Sequence, residues 1–184
     1  MVDENEDNIM DEKNKAGHLK RLWDLAPMFV EGTPHAKFLG IKFVAIDLAR
    51  ATLSLPYAKR LVGNTDTGVL HGGVLTALLD QASGLAAAAA FTDTMPVATL
   101  DLRIDYMRAA QPGKTIIAEA HAYKTTRHIA FVRAIAHDGD VDDPVATSQA
   151  SFMTTAQGSR QNTDPLARHQ AVKDLPPAAK GEST

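Results

Sequence analysis

From Val74 to Phe91 the chain is almost wholly apolar, and a single charge, Asp80, interrupts it. At 100° per residue, Val74, Leu75, Leu78, Ala82, Leu85 and Ala89 share one broad face, while Thr76, Asp80 and Ser83 form a narrow polar stripe. That pattern predicts a helix beginning near Gly72 and fading near Thr92. Ala86 to Ala90 leave little side-chain bulk on any face, so a sheet can approach this helix closely. The run nears membrane-spanning length, but it is mostly alanine, contains Asp80, Gln81, Ser83 and Gly84, and is flanked by turns. It reads as a buried helix, not a membrane span.

On either side the elements are shorter. Residues 1 to about 14 are acidic and polar and read as disordered. Leu19, Leu22, Trp23 and Met28 suit a short helix over Leu19 to Val30, ended or kinked at Pro27. Strand-like segments follow at Phe38 to Ile46 and Arg50 to Leu55, then a loop from Leu61 to Leu70 rich in Gly, Asn, Asp and Thr. Beyond Met95-Pro96 come four strand candidates, Val97 to Met107, Thr115 to Thr126, His128 to Asp138 and Val145 to Thr154. Gln111-Pro112-Gly113 and Asp138-Gly139-Asp140 make turns between them. After about Gln157 the chain is polar, without a period, and reads as a mobile tail. Strands, one long helix, then an antiparallel meander make an α+β domain.

Composition narrows the picture. A chain of 184 residues that is 45% hydrophobic can bury one sizeable core. A net charge of −3 gives no footprint for nucleic acid or an anionic membrane. The absence of cysteine removes disulfides, thiolate metal sites and a cysteine nucleophile together, and fits a cytoplasmic location. The seven histidines are scattered, and no His/Asp/Glu set has metal-ligand spacing on one element, so no metal is expected.

The candidate chemistry sits at the helix start. His71-Gly72-Gly73 at the mouth of a helix can offer bare backbone N–H groups to developing negative charge. Taken singly, His71 is equally a turn histidine bonding the loop, and Gly72-Gly73 a tight turn. Asp80 is either a solvated surface acid or a carboxylate in a cleft. The apolar flanks of its stripe raise the second possibility, which would give it basic character useful in catalysis.

Gly68-Val69-Leu70-His71-Gly72-Gly73, followed by Leu78 and Asp80, resembles the hotdog-fold acyl-CoA thioesterases of the phenylacetate-pathway (PaaI-like, 4-hydroxybenzoyl-CoA thioesterase) superfamily. A second block, Thr99 to Ala110, matches the strand that follows the helix in that family, and the likeness runs from about Phe38 to Thr155. The resemblance implies an antiparallel sheet wrapped around one central helix. It implies a hotdog domain over residues 36–156, after an N-terminal extension (1–35) and before a C-terminal tail (157–184). It also implies a homodimer, with a homotetramer as a dimer of dimers, and active sites at the subunit interface.

By the same resemblance Asp80 is the catalytic carboxylate, and Gly72 supplies the N–H that meets the thioester oxygen. His71 is its neighbour, and Thr99 is a hydroxyl that positions water. The family's upstream asparagine, six residues before the histidine, falls on Thr65, with Asn64 one position earlier; either fills that role. Gly73, Lys124, Arg127 and His128 are the candidates to meet coenzyme A, the three side chains otherwise being ordinary hairpin charges. Arg103 and Arg108 are the basic residues of the second block, and Arg103 can equally pair with Asp101 or Asp105. Phe91, Met95 and apolar strand residues would accept an aromatic or a medium-chain acyl group.

Eight residues of helix separate Gly72 from Asp80, about 12 Å, too far for both to act on one carbonyl within a subunit. Two antiparallel helices across a two-fold axis could join them. The expected reaction is hydrolysis of an acyl-CoA to free acid and coenzyme A, with no cofactor besides the coenzyme A of the substrate. Two alternatives stay open, a non-catalytic acyl-CoA-binding module and a hotdog acyl-thioester dehydratase or hydratase, although the His-Phe-Pro context of the dehydratases is absent.

Overall fold

A computed structural model of the chain describes residues 4–91 and 96–154, with side chains from residue 16 onward. The expected tail from 157 to 184, and Met95, lie outside the described residues.

Helix α1 spans Glu4–Glu31 and helix α2 Pro34–Leu39. The stretch read as disordered is therefore helical from Glu4 on, and Pro27 lies inside α1 instead of ending it. Once the part beginning near His18 is packed, extending a helix backwards fixes one residue per bond and needs no new nucleus. Pro27 is solvent-exposed, so water can serve the carbonyl that its missing N–H leaves unpaired. The segment read as a strand from Phe38 also needs correction, since Phe38 and Leu39 close α2. Thr33 caps that helix by accepting from the Ala36 N–H, and Pro34 fills its first position. Gly40, at φ 82°, then turns the chain into the sheet with a left-handed conformation that a side chain would resist.

Strands β1 (Lys42–Asp47) and β2 (Arg50–Leu55) form a hairpin, and a small hairpin of β3 (Val62–Asn64) and β4 (Val69–Leu70) leads into helix α3 (Gly72–Ala89). Strands β5 (Val97–Tyr106), β6 (Ile116–Thr125), β7 (Ile129–His137) and β8 (Ala146–Thr154) follow within a few residues of their predicted limits. The sheet order is β1-β2-β6-β7-β8-β5, antiparallel throughout. Only β6, β7 and β8 form a simple meander. β5 joins the far edge beside β8, which sequence adjacency does not reveal.

Helix α3 touches all six strands. Six strands at about 4.8 Å spacing are far wider than a helix about 10 Å across, so the sheet must curl around it. Small residues on both sides permit this. Ala82, Ala86, Ala87 and Ala89 of α3 and Ala118, Ala120, Ala130, Ala134 and Ala136 of the sheet are all buried. Leu78 and Leu79, fully buried, supply bulk, and truncating either to alanine costs roughly 2–5 kcal/mol. This is the hotdog arrangement, an antiparallel sheet wrapped around one long helix.

One irregularity in β5 matters for the site. Leu102 and Ile104 pack against the core, so strict alternation would turn Leu100 and Ala98 inward as well. Instead the register with β8 slips between Thr99 and Asp101, leaving Leu100 as an extra, half-exposed residue. Upstream of the bulge the faces exchange, and Val97 and Thr99 point toward α3.

Candidate active site

His71 caps α3. Its backbone is extended (φ −66°, ψ 134°), and its Nδ1 accepts from the Gly73 N–H at 3.0 Å. The Val74 N–H goes to the His71 carbonyl. Gly72, as the first helical residue, has no carbonyl within the helix for its own N–H. Of the first three amides of α3, Gly72 is thus the one left for an outside acceptor, and it lies at the positive end of the helix dipole.

The glycines around His71 have separate reasons. A Cβ on Gly73 would sit 3.0 Å from the imidazole Nδ1 and disturb the cap. A Cβ on Gly63 would lie 2.8 Å from the His71 Cα, so β3 can pass this close only with glycine there. Tyr106, at the end of β5, donates from its hydroxyl to the Gly72 carbonyl at 3.0 Å and lies 2.8 Å from Thr76 Oγ1. In the sequence Tyr106 is only one position within the block Thr99 to Ala110. Neither spacing nor residue type shows that β5 brings it to the start of α3.

Two turns along α3, Asp80 is half-buried, and its Oδ1 accepts a 3.0 Å hydrogen bond from Thr99 Oγ1. The structure therefore brings together two of the predicted site residues from α3 and β5. Both line a cavity of about 450 Å³, with Gln81, Gly84, Leu85 and Ala88 of α3, Val97 of β5 and Phe152 of β8. A fourth wall comes from α1, through Leu22, Leu25, Ala26 and Phe29. Nothing in the sequence linked α1 to Asp80, because that contact depends on how the extension folds back. Phe91 is not among the lining residues.

Other candidates lie apart. Asn64 is exposed, and its Oδ1 accepts from the N–H groups of Asp66 and Thr67, closing the turn that contains Thr65. Lys124, in the last residues of β6, and Arg127 and His128, in the β6–β7 turn, are exposed, and the bond from the Thr154 N–H to the His128 carbonyl ties this turn to the end of β8. Since Val97 pairs with Thr154, this basic turn lies at the cavity's end of the sheet.

Arg103 pairs with Asp105 at 3.0 Å. Arg108 is committed elsewhere. It forms a two-pronged pair with buried Asp138 (2.9 and 2.7 Å) and reaches Asp143 at 2.8 Å. The Arg108 hydrogen bonds, joined by the Gln111 N–H, hold the Asp138 carboxyl well below the usual carboxylate range, against the opposing effect of burial. Among the described residues no group of three or more His, Asp or Glu is gathered to hold a metal ion, and no helix is long and apolar enough to cross a membrane.

Residues 67–145, from the loop before His71 to the start of β8, match the sequence model of the thioesterase superfamily. A relative from Salmonella typhimurium, the medium/long-chain acyl-CoA thioesterase YigI, is 28% identical over 139 residues, covering 68% of this chain and 88% of that protein. A crystal structure of a Pseudomonas aeruginosa protein is 36% identical, with a TM-score of 0.66, and covers 72% of this chain and 98% of that one. The Escherichia coli PaaI protein of the phenylacetic acid degradation operon also superposes with a TM-score of 0.66 (74% of this chain, 95% of that one) but at 20% identity, a likeness of fold. The matched segment holds the capped glycine pair, the helix with its lone carboxylate and the bulged strand that meets it, and the chain belongs to the thioesterase superfamily as a hotdog-fold thioester hydrolase.

Proposed function

We propose that the protein hydrolyses acyl-CoA thioesters at two equivalent sites of a homodimer, with Asp80 of one subunit acting beside Gly72 of the other. The observation that carries this reading is the Thr99–Asp80 hydrogen bond at the wall of an apolar cavity. A carboxylate with one oxygen held by a hydroxyl keeps the other free, and an apolar chamber beside it suits an acyl group, not a polar metabolite.

In this mechanism the free Asp80 oxygen takes a proton from water as the water oxygen bonds to the thioester carbon, or attacks that carbon itself. The negative charge that develops on the carbonyl oxygen meets the partner's Gly72 N–H, reinforced by the dipole of α3. Collapse breaks the C–S bond, and the departing thiolate takes a proton to leave as coenzyme A. When Asp80 attacks, water then cleaves the resulting anhydride. No resident cofactor enters either route. Lys124, Arg127 and His128 supply positive charge for the phosphates of coenzyme A at the cavity's end of the sheet.

The separation of about 12 Å between Gly72 and Asp80 along α3 supports the shared site, since one carbonyl needs both groups within about 3 Å. The half-exposed outer strand β5, carrying Thr99 and Tyr106, is the sheet edge on which a second subunit would complete it.

The test is thiol release from a panel of acyl-CoAs, phenylacetyl, benzoyl and aliphatic, by wild type and Asp80→Asn. The protein has no cysteine to react with the thiol dye. Turnover by wild type that falls at least about a hundredfold in the folded variant is the expected result. Equal turnover by the two proteins would remove Asp80 from the chemistry.

A further inference from the structure

We propose that helix α1 is the specificity wall of this site, and that the site takes a linear, medium-chain acyl group whose length is set by Leu25 and Leu22. The proposal rests on the acyl-CoA reading above and adds which element measures the acyl chain.

The cavity has a direction. Among the described residues that line it Asp80 is the one charged side chain, with Thr99 and Gln81 beside it, and the others are apolar or glycine. Gln81 Nε2 donates to the Phe29 carbonyl at 3.4 Å, so the C-terminal part of α1 meets α3 at the turn that carries Asp80. Leu22 lies seven residues back from Phe29, about 10 Å along α1, and Ala88 eight residues beyond Asp80, about 12 Å along α3. The chamber therefore leads away from the reacting end between two helix walls of matched length. That length accepts an extended methylene chain of roughly eight carbons.

Its cross-section also favours a linear chain. Ala26, Gly84 and Ala88 line the channel with almost no side-chain bulk, while Leu22 and Leu25 project from the α1 side. A broad, short aromatic group would leave the far end unfilled, and unfilled apolar space forfeits packing. The wall is anchored where it matters. Glu31, at the end of α1, accepts from Lys42 Nζ at 2.8 Å and from the Phe43 N–H at 3.1 Å, and Trp23 meets Phe43 edge-on at 5.2 Å between ring centres. Leu25 is only half-buried, so its size can be changed with less disturbance than that of a core leucine.

The experiment is a chain-length profile of kcat/KM, from butyryl- to palmitoyl-CoA with phenylacetyl-CoA alongside, for wild type, Leu25→Trp and Leu25→Ala. Melting temperature and near-ultraviolet circular dichroism check the fold of each variant. Wild type is expected to peak near octanoyl- or decanoyl-CoA. Leu25→Trp should lower the decanoyl-to-butyryl ratio of kcat/KM at least about tenfold, the scale on which apolar pockets discriminate length. Leu25→Ala, the milder change should the bulky one not fold, should move the peak to longer chains. Profiles that keep their shape in a folded variant, or a wild-type preference for the phenylacetyl group, would overturn the assignment of α1 while leaving thiol release intact. Absence of thiol release from every acyl-CoA by wild type would overturn the acyl-CoA reading, and the α1 assignment with it.

Discussion

Thr99 Oγ1 lies 3.0 Å from Asp80 Oδ1, and the contact exists because Leu100, immediately after Thr99, bulges out of the pairing between β5 and β8. The hydroxyl holds one carboxylate oxygen and fixes the direction of the other. Thr99→Val keeps the side-chain shape and removes the donor. It should lower kcat by about 10–100-fold with little change in melting temperature, whereas Thr99→Ser should retain most of the rate. Steady-state thiol release by the three proteins decides it; equal rates for valine and serine would deny the hydroxyl a part.

The bulge itself can be removed. Deleting Leu100 makes Thr99 and Asp101 consecutive opposite Phe152 and Ser151, so the ladder closes with unbroken alternation and Thr99 still faces α3. The deletion should therefore keep turnover within about tenfold of wild type, well above Thr99→Val, while far-ultraviolet circular dichroism stays that of an α+β protein. A folded deletion variant as slow as Thr99→Val would contradict Leu100 being the one residue outside the β5–β8 ladder.

Tyr106 holds the other half of the site. Its hydroxyl donates to the Gly72 carbonyl and so anchors, from the adjoining peptide, the residue whose N–H is assigned to the oxyanion. Tyr106→Phe loses one hydrogen bond of about 1 kcal/mol, and if that energy is used to orient Gly72, kcat should fall roughly fivefold with KM little changed. A change in KM alone would assign Tyr106 to substrate binding instead.

Away from the site, the Arg108–Asp138 pair sets an acid limit on the fold. Asp138 titrates below its unfolded value, so its contribution to stability is complete above about pH 4 and lost as pH falls from there toward the folded value. His121 is shifted downward by burial and then by the charge of Arg50, so the fold also loses stability as pH drops below about 6.5, where the unfolded histidine takes up a proton that the folded one resists. Asp138→Asn should lower the melting temperature by about 5 °C or more near neutrality, with the gap narrowing below pH 4. A gap constant down to pH 3 would contradict the sign argued here.

What could be read in the sequence was what depends on local order. The period of 3.6 from Val74 to Ala89 is set by the face the helix buries, and the turn residues at Gln111-Pro112-Gly113 and Asp138-Gly139-Asp140 separate the strands after it, so these elements are predicted to within a few residues. The His71-Gly72-Gly73 start was legible because capping is local. The position of β5 beside β8 was not, since nothing in neighbouring residues states which edge a strand joins. The bulge at Leu100 escaped for a related reason, being defined by the partner strand. Tyr106 at Gly72 and the α1 wall over Asp80 are long-range contacts of the same kind. Phe38 and Leu39 look strand-like by composition, yet Thr33-Pro34 and Gly40 carry the start and stop signals of the short helix that holds them.

The shared site can be tested by mixing two inactive proteins. Gly72→Pro removes the N–H assigned to the oxyanion at the helix position where proline is best tolerated, and the extended backbone of His71 suits the residue before proline. Asp80→Asn removes the carboxylate. Each homodimer should be nearly inactive. If Asp80 of one subunit works with Gly72 of the other, a mixed dimer holds one doubly defective site and one intact site. Equal mixing with subunit exchange should then restore about a quarter of wild-type turnover. Activity no higher than that of the separate variants, with mixed dimers shown to form, would contradict a site built across the two-fold axis.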